Sequence, residues 1–226
     1  MTQFPKAFIF DLDGVITDTA EFHYLAWKEL GKELGVTIGR EFNEQLKGIS
    51  RMDSLDRILG LDPSLTDMPE AEKEQYATKK NEHYKRLIET VTPAHILPGV
   101  KGLLEEIKQH DIEIALGSAS KNAPAVLKQL GLMSYFDYLV DAAKVSKGKP
   151  DPETFTTASD GLGVAYQDCI GIEDAQAGVE AINQAHMFSV GVGELLKNTD
   201  HKVATTEQLD FQTILTKYAE WRNKKQ

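Results

Sequence analysis

Strand-like stretches at residues 7–10, 112–116, 138–140, 169–172 and 188–192 punctuate this sequence, the first of them wholly apolar, and helix-patterned segments separate most of them. A strand without polar alternation is buried on both faces, which is the habit of parallel sheets covered by helices. Between the runs, Val100, Leu103, Leu104 and Ile107 fall at helical spacing, and helices are expected over 124–130 before Gly131, over 152–162, 177–185 and 211–221. Strands that alternate with helices imply crossover connections and a doubly wound α/β sheet of Rossmann-like form.

The rhythm breaks once. After the first run the sequence Asp18-Thr19-Ala20-Glu21 has the form of a capping box, and Phe22, Ala26, Leu30 and Leu34 then recur every four residues up to Gly35. Ser50 is placed to cap a second helix carrying Leu55, Ile58 and Leu59, and Pro69 to begin a third that runs to about Val91. Three helices without a convincing strand describe an insertion. The expected organisation is an α/β core of residues 1–16 and 93–226 and an inserted α-helical cap of residues 17–92. On the third helix Lys80 interrupts an apolar stripe of Tyr76, Tyr84, Leu87, Ile88 and Val91. Its stem can snorkel to water, or its ammonium can point into a cleft.

Composition narrows the function classes. The chain has 226 residues, 41% of them hydrophobic, enough for a full core, and a formal net charge of −10. That charge argues against nucleic acid or an anionic membrane surface as partner. The single cysteine, Cys169, excludes an internal disulfide, and its neighbour Ile170 places it in the core. No basic segment followed by an apolar stretch opens the sequence, and no apolar run approaches the ~20 residues of a membrane span. A soluble cytoplasmic protein is expected.

The strand ends carry the chemistry. Asp11 and Asp13 follow the first run in Asp11-Leu12-Asp13-Gly14, where an open α/β sheet places its ligand crevice. In extended chain both side chains point one way, and two such anions repel unless a cation joins them; Mg²⁺ suits oxygen ligands of this kind. A calcium loop is excluded, because its later ligand and glycine offsets hold Val15, Ile16 and Phe22. A solvated acidic turn is the bland alternative. The run at 112–116 leads into Gly117-Ser118-Ala119-Ser120-Lys121-Asn122, a small, hydroxyl-rich turn into a helix, of the kind that holds phosphate. Lys149 precedes Pro150, which keeps the chain extended before the next helix, and Glu173-Asp174 closes the fourth run with a second acidic pair. Each of these has an ordinary reading alone, as surface lysine or polar turn. Two acidic strand ends in one sheet are harder to explain by solubility.

In this order, Asp11-Leu12-Asp13-Gly14, Ser118, Lys149 and Glu173-Asp174 resemble the four motifs of the haloacid dehalogenase-like superfamily, and the resemblance spans the chain, including a cap inserted after the first motif. Residues 11–21 with His23, Gly48-Ile49-Ser50-Arg51, Lys80-Asn81, Ser118 to Asn122 and Ile172-Glu173-Asp174 are similar to the β-phosphoglucomutase subfamily. Ala175 stands where many relatives carry serine, which leaves both carboxylates intact.

The resemblance implies an isomerase of carbohydrate metabolism, acting by intramolecular phosphotransfer between β-D-glucose 1-phosphate and glucose 6-phosphate through β-glucose 1,6-bisphosphate. It implies Asp11 as the phosphorylated nucleophile, Asp13 as general acid/base, and Mg²⁺ held by the Asp11 carboxylate, the Asp13 backbone carbonyl and Asp174, with Glu173 behind. By the same resemblance Ser118, Lys149 and the Ala119 backbone hold the transferring phosphoryl, while Arg51, Ser120 and Asn122 grip the second phosphate. His23 and Lys80 line the cap side, Thr19 marks the hinge, and Gly48, Ser50 and Lys121 complete the substrate-binding set. For His23 the ordinary reading is a helix-surface histidine. The implied partners are small-molecule sugar phosphates and the implied state is a monomer; no nucleic acid and no membrane are expected as partners. A phosphatase built from the same motifs is the alternative, separable by release of inorganic phosphate.

Overall fold

The computed structural model describes residues 4–46 and 49–224. Its strands are β1 (Ala7–Phe10), β2 (Glu113–Leu116), β3 (Tyr138–Leu139), β4 (Cys169–Glu173), β5 (Phe188–Val192) and β6 (His201–Val203). Its helices are α1 (Ala20–Leu34), α2 (Arg40–Glu44), α3 (Arg51–Leu59), α4 (Glu70–Ile88), α5 (Val100–Gln109), α6 (Ala123–Leu130), α7 (Glu153–Leu162), α8 (Gln176–Gln184) and α9 (Phe211–Lys224). The chain divides into two compact units, one joining the segment up to Asp18 with Thr92 onward, the other spanning Thr19–Val91.

In the first unit the strands form one parallel sheet, ordered β3-β2-β1-β4-β5-β6. β1 lies inside it, with Phe8 in register with both Ile114 and Ile170. The two-residue strand period explains why all four β1 residues are apolar. Ala7 and Ile9 face a cluster with Phe155 and Ala158 of α7 and Ala181 and Ile182 of α8. Phe8 turns the other way, its ring 6.2 Å from that of Phe211 on α9. Helices therefore cover both faces. Chain connections leave β1 toward β2 on one side and β4 toward β5 on the other. Open α/β sheets bind ligand at such a switch point, here the crevice beyond the ends of β1 and β4.

The helical unit buries its own core of Tyr24, Trp27, Leu30, Val36, Ile38, Leu55, Ile58 and Ala77. Gly35 ends α1 in the left-handed region at φ 77, where glycine carries no Cβ penalty. Ser50 caps α3, its hydroxyl accepting the Asp53 amide at 3.1 Å.

The structure differs from the sequence reading in several places. No capping box forms at α1: Thr19 occupies the cap without a side-chain cap bond, because Tyr84 donates to its hydroxyl and Arg40 takes both oxygens of Glu21 at 2.7 and 2.9 Å. α2 and β6 were absent from that reading. A five-residue helix is too short to show a period, and β6 is a sheet edge whose sequence His201-Lys202-Val203 is only partly apolar. α4 stops at Ile88 rather than near Val91. The units divide after Asp18 and Val91 rather than at 17 and 92. Thr17 stays with the sheet unit through bridges to Asp13 and Ile96 and a 2.7 Å hydrogen bond from its hydroxyl to the His95 carbonyl.

Candidate active site

β1 delivers Asp11 to the sheet's carboxyl edge, where its amide donates to the Ile172 carbonyl at 3.0 Å and extends the pairing with β4. β4 delivers Glu173 and Asp174 beside it. One oxygen from each of Asp11, Glu173 and Asp174 lies within 4.8 Å of the others. After Leu12 the chain turns, the Leu12 carbonyl accepting from the Ile16 and Thr17 amides. Asp13 still raises the pKa of Asp174 by its charge.

Two glycines make room for these carboxylates. A Cβ on Gly14, which sits at φ +76, would lie 1.9 Å from Asp174 Oδ2, and one on Gly178 would lie 2.0 Å from Glu173 Cδ. Both positions require glycine on steric grounds.

Lys149 closes the cluster. Its ammonium donates to Asp11 Oδ1 at 2.6 Å and to Glu173 Oε2 at 2.7 Å, with the lysine side chain only 10% exposed. Burial opposes its charge, yet Asp11 and Glu173 outweigh that and hold its pKa above the ordinary value. One cation cannot neutralise so many anions. The surplus shows at Glu173, pushed up to about 8 by burial and then by Asp11, and at Asp174, pushed up to about 7 by burial and then by Asp11 and Asp13. Asp174 is open to solvent by surface area, while protein packed behind its carboxylate supplies the desolvation. An all-oxygen cluster with unneutralised negative charge fits a hard divalent cation.

The turn after β2 supplies the hydroxyls. Ser118 is buried and its oxygen accepts the Ser120 amide at 3.1 Å, while the Ser120 oxygen accepts the Asn122 amide at 3.3 Å. A serine oxygen that accepts an amide proton keeps its own proton to donate to an anion. Ala119 and Lys121 are exposed, Ser120 and Asn122 half-buried.

Within the helical unit a second cluster forms. Lys80 is 3% exposed, so its stem does not carry it to water. Its ammonium lies 4.5 Å from the Trp27 ring centroid, 5.1 Å from that of Tyr84 and 2.9 Å from His23 Nδ1. An ammonium can only donate, so Nδ1 accepts and the ring proton of a neutral His23 sits on Nε2. Burial, then the charges of Lys80 and Arg51, hold the His23 pKa well below 6.5. His23 is no surface histidine: it stacks on Tyr84 with centroids 4.1 Å apart. Tyr84 in turn donates to the buried Thr19 hydroxyl at 3.2 Å. Arg51 opens α3, half-buried, with burial lowering its pKa. Gly48 lies outside the described residues.

A profile of haloacid dehalogenase-like hydrolases matches residues 5–186. The chain belongs to this family. Among its relatives, the β-phosphoglucomutase of Bacillus subtilis is 44% identical over 219 residues, 96% of this chain and 97% of that protein. A solved β-phosphoglucomutase from Clostridium difficile, at 50% identity, covers 97% of this chain with a TM-score of 0.93. A phosphorylated-carbohydrates phosphatase of Thermotoga maritima is more distant, 29% identical over 80% of this chain and 81% of its own. The family fold is thus present, and among the described residues no helix is long and apolar enough to cross a membrane.

Sequence reasoning overlooked Gly178 and Trp27 and took Tyr84 as core alone. A glycine inside a helix costs about 1 kcal/mol relative to alanine, so Gly178, five residues after Glu173, was a readable sign of close approach. Nothing in the sequence distinguished Trp27 from any buried aromatic.

Proposed function

We propose that the chain is a β-phosphoglucomutase, an isomerase interconverting β-D-glucose 1-phosphate and glucose 6-phosphate through a phospho-aspartyl enzyme. The observation that carries this reading is the 44% identity to a β-phosphoglucomutase along 96% of the chain, helical unit included, on a sheet that sets Lys149 against Asp11.

In this reading phospho-Asp11 gives its phosphoryl group to the 6-hydroxyl of β-glucose 1-phosphate, and Asp13 takes the hydroxyl proton. The bisphosphate reorients, Asp11 attacks the phosphorus at C1, and Asp13 returns the proton to the departing sugar oxygen. Splitting the transfer this way replaces one difficult displacement with two easier ones. A positioned acid/base group contributes about 10² to 10⁴ in rate. Ser118, Lys149 and the Ala119 amide hold the transferring phosphoryl group. Arg51, Ser120 and Asn122 take the second phosphate, with Gly48, Ser50, Lys121, His23, Lys80 and the hinge residue Thr19 completing the substrate-binding set.

The metal is Mg²⁺ in this proposal, held by Asp11, the Asp13 carbonyl and Asp174 with Glu173 behind. When bound it supplies positive charge for the phosphoryl oxygens. A mutase must also keep water from phospho-Asp11 between the two transfers. The protein is proposed to act as a cytoplasmic monomer on sugar phosphates.

The test is ³¹P NMR of the protein with β-glucose 1-phosphate, Mg²⁺ and a trace of the 1,6-bisphosphate. Glucose 6-phosphate with little inorganic phosphate supports the mutase. Inorganic phosphate rising in step with substrate loss overturns it in favour of a phosphatase.

A further inference from the structure

Lys149 stands on a stretch, residues 140–152, that has neither helix nor strand, yet its ammonium is held within 2.6 Å of Asp11. A long stem on a loose loop would not stay there. The loop is fixed by Glu153, the first residue of α7. One of its carboxylate oxygens accepts the Ser146 amide at 2.8 Å, and the other accepts the Lys147 amide at 2.7 Å. These are charge-assisted lengths. A half-exposed glutamate has water available, and both of its oxygens are committed to backbone instead. Past the lysine, the Asp151 amide donates to the Gly148 carbonyl at 3.1 Å and Gln184 of α8 donates to the Pro150 carbonyl at 2.9 Å. α7 is itself anchored by Phe155, which is fully buried and whose ring lies 5.1 Å beneath the Lys149 ammonium.

We propose that Glu153 is a positioning residue for Lys149: its two carboxylate oxygens, one on each of two consecutive amides, fix the loop that carries the lysine to the nucleophile. It touches neither substrate nor the reacting atoms. Without it the Ser146 and Lys147 amides can turn to water, so folding loses little while the position of Lys149 is lost.

The kinetic part of the test rests on the mutase reading, and a second part does not. Glu153→Ala is expected to lower kcat by roughly 10 to 10²-fold, the scale that a misplacement of about 1 Å costs. KM should change much less, because Lys149 acts on the transferring phosphoryl group. Glu153→Gln, which keeps one acceptor oxygen, should recover part of the rate. In a Lys149→Ala background, single-turnover phosphorylation of Asp11 by the bisphosphate should be no slower with Glu153→Ala added. Independently of any substrate, reductive methylation of Lys149, read by peptide mass spectrometry, should speed up in Glu153→Ala. Unchanged kcat in Glu153→Ala overturns the proposal, and so does a loss that persists undiminished in the Lys149→Ala background. If the wild-type protein forms no glucose 6-phosphate, the mutase reading fails, and the methylation rate alone decides the role of Glu153, with unchanged labelling refuting it.

Discussion

Replacing Gly178 with alanine sets two physical effects against each other. Helix propensity favours the change by about 1 kcal/mol. Against this, the new Cβ would lie 2.0 Å from Glu173 Cδ and 2.3 Å from its Cγ and Oε2. Carbon contacts settle near 3.5–4.0 Å, so the carboxyl group must retreat by about 1.5 Å. It has nowhere to go, since the Glu173 side chain is 2% exposed. Overpacking costs about 1–3 kcal/mol, and separating a buried ion pair about 3–5 kcal/mol when it is complete. With the Lys149 bond strained rather than severed, we expect a net loss of roughly 3 kcal/mol after the propensity gain is subtracted. Urea melts read by the far-UV signal measure it. Gly102→Ala is the control: it sits inside α5, and a Cβ there meets nothing within 4 Å. That variant should gain about 0.5–1 kcal/mol. Glucose 6-phosphate formation should fall in Gly178→Ala alone. A Gly178→Ala midpoint that rises alongside that of Gly102→Ala, with turnover intact, would refute the reasoning.

The acidic cluster makes a pH prediction of definite sign. The Asp174 carboxyl is raised from 3.8 to about 7 and that of Glu173 from 4.5 to about 8, so the folded protein holds both protons more tightly than the unfolded chain does. Their contribution to stability is complete below pH 3.8 and is lost as pH rises through 7 to 8. Added Mg²⁺, which takes the ionised groups, should raise the melting temperature more at pH 8 than at pH 5; an equal increment at both would count against the site. Ser50→Ala removes the α3 cap and should cost about 1 kcal/mol, measurable by urea denaturation with the far-UV signal. Lys80→Met should lower sugar-phosphate turnover at least tenfold, by removing over 1.4 kcal/mol of binding or transition-state interaction. Its stability should fall within about 1 kcal/mol of wild type, since methionine fills the space between Trp27 and Tyr84 without a buried charge. A stability collapse with turnover preserved would make Lys80 a structural residue instead.

The sequence alone determined the elements whose signals are local. β1 and β4 announced themselves as unbroken apolar runs because both of their faces are covered, and α5 by its period. The acids at the ends of β1 and β4 were legible because a parallel sheet puts its strand ends at one edge. Boundaries were blurred where competition decides them: the α1 capping box was lost to Tyr84 and Arg40, residues 65 and 19 positions from Thr19 and Glu21. β6 stayed hidden because an edge strand keeps one side solvated and so needs no apolar run.

Tertiary structure alone decided which charges meet. Lys149 reaches Asp11 across 138 positions of sequence and Glu173 across 24. The partnership of Lys80 with His23, Trp27 and Tyr84 was equally invisible, since a lysine in an apolar stripe has the same spacing whether it snorkels or is buried. Gly14 and Gly178 matter because of what stands opposite them. Local propensity is written into each stretch of chain, whereas the field at a carboxylate is a sum over neighbours that only folding brings within a few ångströms.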